Sequence, residues 1–429
     1  MDRERYVVCE KPEKITSHNR IAFILDGMFF NLGSAFLEAN TVLPTFVSTL
    51  TRSSVLIGLV STIRSLGYFM PQIFVAGCIE KLAKKKPFMM KAGVAMRLAA
   101  LGMALSVLLV QKNPAVALGT FYVSLVVLSF SDGFGGLPWM DIVAKTIPPE
   151  QRARLFGTMS MAGGSAAFLG GFFIKWLLAQ ASCYPFNYFW VFLLGFVFLT
   201  GSLASMSFII EPEGPVPDGA TTIAEYLKRL PGVWRQSLLF RQVIRVRVLA
   251  GAIYLALPFF AIHAQTDLGF PRSVAGLFVS AQMVGTVVAG PVWGYLGDHH
   301  GSHWIVRSVT ALGAGTGLFA LLARIAFFRG FAPLAYFCYF AIYFSLGCIF
   351  GGTWIGFSNY VLDIAPKESR STFMGLLNTV AGPLTLLSLI GGWILQKSGF
   401  MWLFVMVALV EMVSFYFAWR LPDPRSFRT

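Results

Sequence analysis

Twelve apolar runs of about twenty residues or more fill most of this 429-residue chain. A run of that length, wound as helix, matches the hydrocarbon core of a bilayer, about 30 Å thick. In lipid every backbone N–H and C=O must be satisfied inside the structure, so such runs become helices. Their approximate extents are 21–47, 55–79, 88–110, 115–140, 155–179 and 186–210, then 243–265, 274–296, 304–327, 334–361, 373–396 and 402–421. Composition points the same way: 56% hydrophobic and 13% charged residues leave too little polar surface to cover a water-soluble globule, which carries about 25% charged residues. The expectation is an all-α membrane protein with twelve transmembrane helices.

The runs fall into two copies. Gly294-Tyr-Leu-Gly-Asp298-His-His-Gly301 lies 218 residues after Ala76-Gly-Cys-Ile-Glu80-Lys-Leu-Ala83. The same offset carries Pro148, Glu150, Arg152 and Gly157 onto Pro366, Glu368, Arg370 and Gly375. Two motifs in one register argue for a duplicated six-helix unit. Residues 1–210 form the first half and 241–429 the second. Between them, 211–240 reads as a cytoplasmic linker: a turn-rich Glu211-Pro-Glu-Gly-Pro segment, then a short amphipathic helix over 221–240 on the membrane surface.

Charge sets the orientation. Of 34 Lys and Arg, 25 fall in segments facing one side, 6 face the other and 3 lie within spans. The positive-inside rule places both termini, and the loops after even-numbered spans, in the cytoplasm. A multi-pass protein of the plasma (inner) membrane is expected. The net charge of +14 is accounted for by this bias toward anionic headgroups, and nucleic acid is not an expected partner.

Other classes are excluded by what the residues lack. The first twenty positions are polar, so the run from Ile21 reads as a retained helix, not a signal peptide. Five scattered cysteines form no CxxC pair and read as small packing residues, and His299, His300 and His303 as a solvated turn. Gly163-Gly164 and Gly170-Gly171 lack the Lys of a phosphate loop and suggest close helix packing. No nucleophile, base and orienter group together. Neither an enzyme nor a metal or cofactor site is expected.

Four charged residues sit near the middle of first-half spans. Glu38 and Arg64 are equidistant from the turn near Thr51, and Arg97 and Asp132 straddle the turn at Asn113-Pro114 in the same way. Antiparallel neighbours put each pair at one depth, giving a midplane belt of two acids and two bases. Charges there are costly unless paired or wetted. Under the offset they map onto Ala256, Gln282, Gly315 and Phe350, so the fold does not demand them. Asp132, in the Gly- and Pro-rich stretch to Pro138 that should loosen the helix, is the first candidate proton carrier, and Glu38 the second. Asp26 and Asp141 lie nearer the cytoplasmic edge, and Asp26 joins the proton-coupling set. Glu411, inside the twelfth span, shows no sequence partner.

The Gly294-x-Leu296-x-Asp298-x-x-Gly301 pattern, between the eighth and ninth spans of a duplicated chain, resembles the signature loop of the major facilitator superfamily of transporters. The weaker first copy keeps basic residues at Lys84-Lys85-Lys86 but has Glu80 in place of Asp. The resemblance implies two halves rocking about a central cavity, with Glu80, Lys84, Arg152, Gly294, Asp298, Gly301 and Arg370 as the cytoplasmic gate. It also implies a cavity lined by the first, fourth, seventh and tenth spans. Substrate-binding candidates are therefore Asn31 and Trp139 in the first half. In the second half they are the uncharged polar or aromatic residues His263, Gln265, Gln282, Trp354, Asn359, Tyr360 and Asn378.

The expected function is secondary active transport of a small organic solute by a monomer, proton-coupled and leaning to export of amphipathic or cationic compounds. The alternatives are an uncoupled facilitator or lipid flippase, a polar-nutrient symporter, and a transport-inactive sensor.

Overall fold

The computed structural model describes residues 12–79, 82–147, 149–213, 237–365 and 370–424. Glu80 and most of the expected linker, including its amphipathic helix, lie outside the described residues. Ten stretches among those described are long and apolar enough to cross a membrane. Leu376–Trp419 holds two spans, separated where Gly399 adopts φ +79°, a left-handed conformation that glycine reaches without steric cost. The first span, Pro12–Phe36, carries Asp26 and Asn31 and completes the twelve.

Helix ends follow local sequence. Asn113 caps the fourth span, its Oδ1 accepting from the N–H groups of Ala115 and Val116 at 3.1 and 3.2 Å, with Pro114 pre-set at the first helical position. Ser237 caps the seventh in the same manner at the Phe240 N–H, and that helix begins at Leu238, inside the stretch expected to be linker.

Two spans read as continuous in the sequence are broken. The first stops at Phe36, turns through residues 37–41 and resumes as Val42–Leu50. The seventh runs Leu238–Leu249, tightens to a 3-10 turn over Ala250–Leu255 and resumes as Leu257–Thr266. Ala256, at the second break, lies 218 residues after Glu38, at the first, so the interruption belongs to the repeated unit. The eleventh span also changes helix between Leu384 and Leu387. By contrast the fourth span, Pro114–Thr146, is one unbroken helix despite Pro138 and the three glycines just before it.

The halves join at the membrane face remote from the termini, here called distal. Between the fifth and eighth spans, a Cβ at Gly171 would stand 2.5 Å from the Gly276 oxygen, so only glycine permits the approach. Ser280 Oγ donates to the Phe168 oxygen there at 2.8 Å. Between the second and eleventh spans, a Cβ at Gly58 would stand 2.4 Å from the Ser388 oxygen, and Thr62 Oγ1 lies 2.7 Å from Ser388 Oγ. Gln265 Nε2 donates to Thr45 Oγ1 across the halves at 3.0 Å. Thr62 Oγ1 also lies 3.5 Å from the Thr385 oxygen in this distal group. Toward the terminal face Phe69, Met140 and Trp354 are exposed while lining internal cavities. The molecule is thus closed distally and open toward its termini.

Candidate functional site

A cavity of about 700 Å³ opens between the halves. Its wall is mostly first-half: Asp26, Glu38, Arg64, Arg97 and Asp132 all line it, while the second half contributes Gln282, Tyr254 and Phe350 among few others. All five sequence-expected charges therefore converge on one space. Their partners differ from the depth argument.

Arg64 Nη2 donates to Asp132 Oδ2 at 2.6 Å, so Arg64 pairs with Asp132 and not with Glu38. The register has a steric cause. A Cβ on Gly67 would stand 2.4 Å from Ser129 Cβ, and one on Gly133 would stand 2.5 Å from the Tyr68 oxygen. The second and fourth spans touch backbone to backbone within one turn of the pair. The glycines after Asp132 thus serve close packing and, at Gly135 and Gly136, an open cavity wall, not the helix loosening expected.

Arg97, expected beside Asp132, points instead to the sixth span. It donates to the Leu199 oxygen at 2.8 Å, the Gly93 oxygen at 3.2 Å and Ser202 Oγ at 2.9 Å. Ser202 Oγ in turn donates to Asp26 at 2.6 Å, and Trp139 Nε1 donates to the other Asp26 oxygen at 2.9 Å. Asp26 is 6% exposed. It is a buried member of an Arg97-Ser202-Asp26-Trp139 chain, not an edge group. Asp141 does sit at the terminal face, paired with Lys85 at 2.7 Å and Lys145 at 3.3 Å.

Glu38 stands at the break of the first span. Its Oε1 accepts from the Asn40 backbone N–H at 3.2 Å and the Asn40 amide at 3.0 Å. Ser61 Oγ, donating to the Ala39 oxygen at 2.9 Å, clamps the break to the second span one turn from Arg64. Arg64 acts on Glu38 only at longer range, its direct bond being spent on Asp132.

Of the nine substrate candidates, Asn31, Trp139 and Gln282 line the central cavity. Gln282 is 5% exposed and its Oε1 accepts no hydrogen bond. Trp354 and Asn378 line a smaller second-half cavity of about 180 Å³. The other four line neither. His263 is fully buried, with Nδ1 bonded to the Tyr339 hydroxyl among Phe400 and Phe404. Gln265 serves the distal junction. Tyr360 donates to the Pro422 oxygen at 3.1 Å near the C-terminus, and Asn359 is exposed beside it.

Among the gate candidates, Lys84 pairs with Glu213 at 3.3 Å, both exposed. Gly294 and Asp298 are exposed on the last turns of a helix that runs to His300, so the expected tight turn shrinks to Gly301 alone, at φ +95°. His303, read as solvated, is 6% exposed and lies 3.6 Å from Asp423. The side chains of Arg152 and Arg370 lie outside the described residues. A stronger terminal-face junction escaped sequence reading: Glu211, past the sixth span, accepts from the Lys85 and Lys86 N–H groups at 2.9 and 2.7 Å and pairs with Lys145 at 3.2 Å. A carboxylate on exposed helix-start amides is favoured by the helix dipole.

A family profile described as Major Facilitator Superfamily matches residues 21–260 and 248–428. The chain belongs to that superfamily. MFS proteins are transporters, which fits a cavity between two six-helix halves and offers no support for an enzyme. Solved MFS structures superpose over nearly the full length. A D-xylose-proton symporter is 14% identical, with TM-score 0.67, covering 96% of this chain and 98% of that one. The nucleoside transporter NupG is 11% identical, with TM-score 0.68 and coverage of 95% and 99%. A POT family transporter in complex with a thioalcohol-conjugated peptide is 12% identical, with TM-score 0.69 and coverage of 94% and 96%. At these identities the likeness shows the fold. No protein in the curated set matches the chain.

Proposed function

We propose that this MFS protein is a proton-coupled secondary transporter of amphipathic, cationic organic solutes, exported in exchange for protons through the central cavity. Glu38 carries the reading. It is the one acid in the cavity wall that neither bonds an arginine nor joins the Arg97-Ser202-Asp26 chain, and it sits where a broken helix can move. A carboxylate so placed holds either a proton or a cationic solute, not both, which is the exchange that antiport requires. This ranks Glu38 ahead of Asp132, whose charge is held by Arg64 at 2.6 Å.

The remaining wall suits a soft, variable solute body. Met89, Met96, Met140, Met159 and Met206 line it beside Trp139. Thioethers adapt to irregular apolar shapes. By the positive-inside rule the terminal face is cytoplasmic, so the open cavity faces the side from which an exporter loads. The protein works as a monomer in the plasma (inner) membrane, since one chain encloses the whole cavity.

Proteoliposomes loaded with a lipophilic aromatic cation test this. An imposed proton gradient should drive its movement in the wild type, and Glu38→Gln should abolish gradient dependence and weaken cation exchange at equal pH, since proton and cation share the one carboxylate. Flux indifferent to the gradient in the wild type would instead support the uncoupled facilitator, with the ion pairs as structural stitching.

A further inference from the structure

The second-half cavity holds a charge that transport through the central cavity does not use. Arg247, near the end of the first helical piece of the seventh span, is 9% exposed and lines this space of about 180 Å³. Its guanidinium makes no hydrogen bond and no ion pair among the described residues. Its close partner is the face of Phe357, with Cζ 5.6 Å from the ring centroid. A cation–π contact supplies about 2 kcal/mol at most, well short of the several kcal/mol that a buried charge needs.

The obvious counter-charge is committed elsewhere. Glu411 of the twelfth span shares the cavity and is 1% exposed. Its Oε1 accepts from the Ile253 N–H at 3.1 Å, in the 3-10 turn of the broken seventh span. Its Oε2 is packed against Gly313, where a Cβ would come within 2.7 Å. Arg247 and Glu411 attract at longer range without forming a bridge. An arginine with a free donor fork in a cavity of this size is built for an oxyanion, because five N–H donors in one plane match a carboxylate edge.

The rest of the wall narrows the class. Trp354, Phe357, Leu377 and Ile349 are apolar, and Ser358 and Asn378 add neutral hydrogen-bonding groups. Phe69, Tyr254 and Phe350 line both this cavity and the central one, forming the partition between them. Exposed Trp354 stands at the mouth. We propose that this cavity is a second binding site, specific for a small aromatic or aliphatic carboxylate whose anionic end is held by Arg247. The site stands on these residues whether or not the central cavity carries cations.

Trp354 provides the readout. The purified full chain is titrated with benzoate and with benzamide, which has the same shape without the charge, following tryptophan emission, with Trp354→Phe to identify the responding ring. Benzoate should bind saturably and at least about tenfold more tightly than benzamide, a difference of about 1.4 kcal/mol. Arg247→Gln should remove that preference. Glu411→Gln keeps the acceptor for the Ile253 N–H but deletes the competing charge, and should tighten benzoate binding severalfold. It also keeps the proposal falsifiable if Arg247→Gln does not fold. Equal affinity for benzoate and benzamide, an Arg247→Gln protein that retains the preference, or unchanged benzoate affinity in Glu411→Gln overturns it.

Discussion

The two broken spans make the most instructive comparison in the molecule. They interrupt at equivalent positions of the repeat, and in each a carboxylate occupies a backbone N–H of the interruption. In the first span that carboxylate is local: Glu38 bonds Asn40, two residues away. In the seventh it comes from a neighbouring helix distant in sequence, where Glu411 reaches Ile253. The local solution leaves Glu38 on the wall of the central cavity. The remote one buries Glu411 and ties the twelfth span to the seventh. One backbone need, met in two ways, yields, on the function proposed above, a functional acid in one half and a structural one in the other.

The comparison can be broken in graded steps. The largest effect is expected where the first half concentrates its charge. Arg64→Leu should destabilise the protein by about 2–3 kcal/mol in detergent unfolding, somewhat under the cost for a fully buried pair because the Arg64 side chain is 23% exposed. Adding Asp132→Leu should recover most of that loss, since the cost comes from the charge left unpaired.

Next in size is the close approach that sets this register. Gly67→Ala should cost about 2 kcal/mol of melting stability by forcing the second and fourth spans apart. Gly135→Ala, where nothing stands within 4 Å of the added carbon, should leave melting unchanged and report only on solute fit.

Glu411→Leu should cost about 1.5 kcal/mol by orphaning the buried Ile253 N–H, and Glu411→Gln much less. Glu38→Gln, at a more solvated break, should hardly change melting while removing proton dependence of flux. If both breaks respond alike in stability, the division into functional and structural acids fails. The smallest effect is at the distal junction, where Gln265→Ala should cost about 0.5–1 kcal/mol and speed opening, seen as faster exchange labelling of a cysteine placed beside Thr45.

Much of this was legible in the residues. Hydropathy gave the spans, and the 218-residue offset gave two halves. Depth counting brought Glu38, Arg64, Arg97 and Asp132 to one cavity. It paired them wrongly because sequence spacing fixes how deep a side chain sits, not which way around the helix it points. The azimuth came from Gly67 and Gly133, whose contact rotates Arg64 toward Asp132. Arg247 does not stand out in the sequence because the start of the seventh span carries Arg241 and Arg245 as well. Glu411 had no visible mate because its partner is a backbone amide, freed by a helix break in another span.

The sequence by itself determined that this chain crosses a membrane as two copies of a six-helix unit, because lipid leaves apolar runs of that length no other conformation. The tertiary structure alone decided which buried charges meet, where the helices break and which acids line the central cavity. Those outcomes depend on how close two backbones can come, and that is a property of pairs of helices, not of either one read along its length.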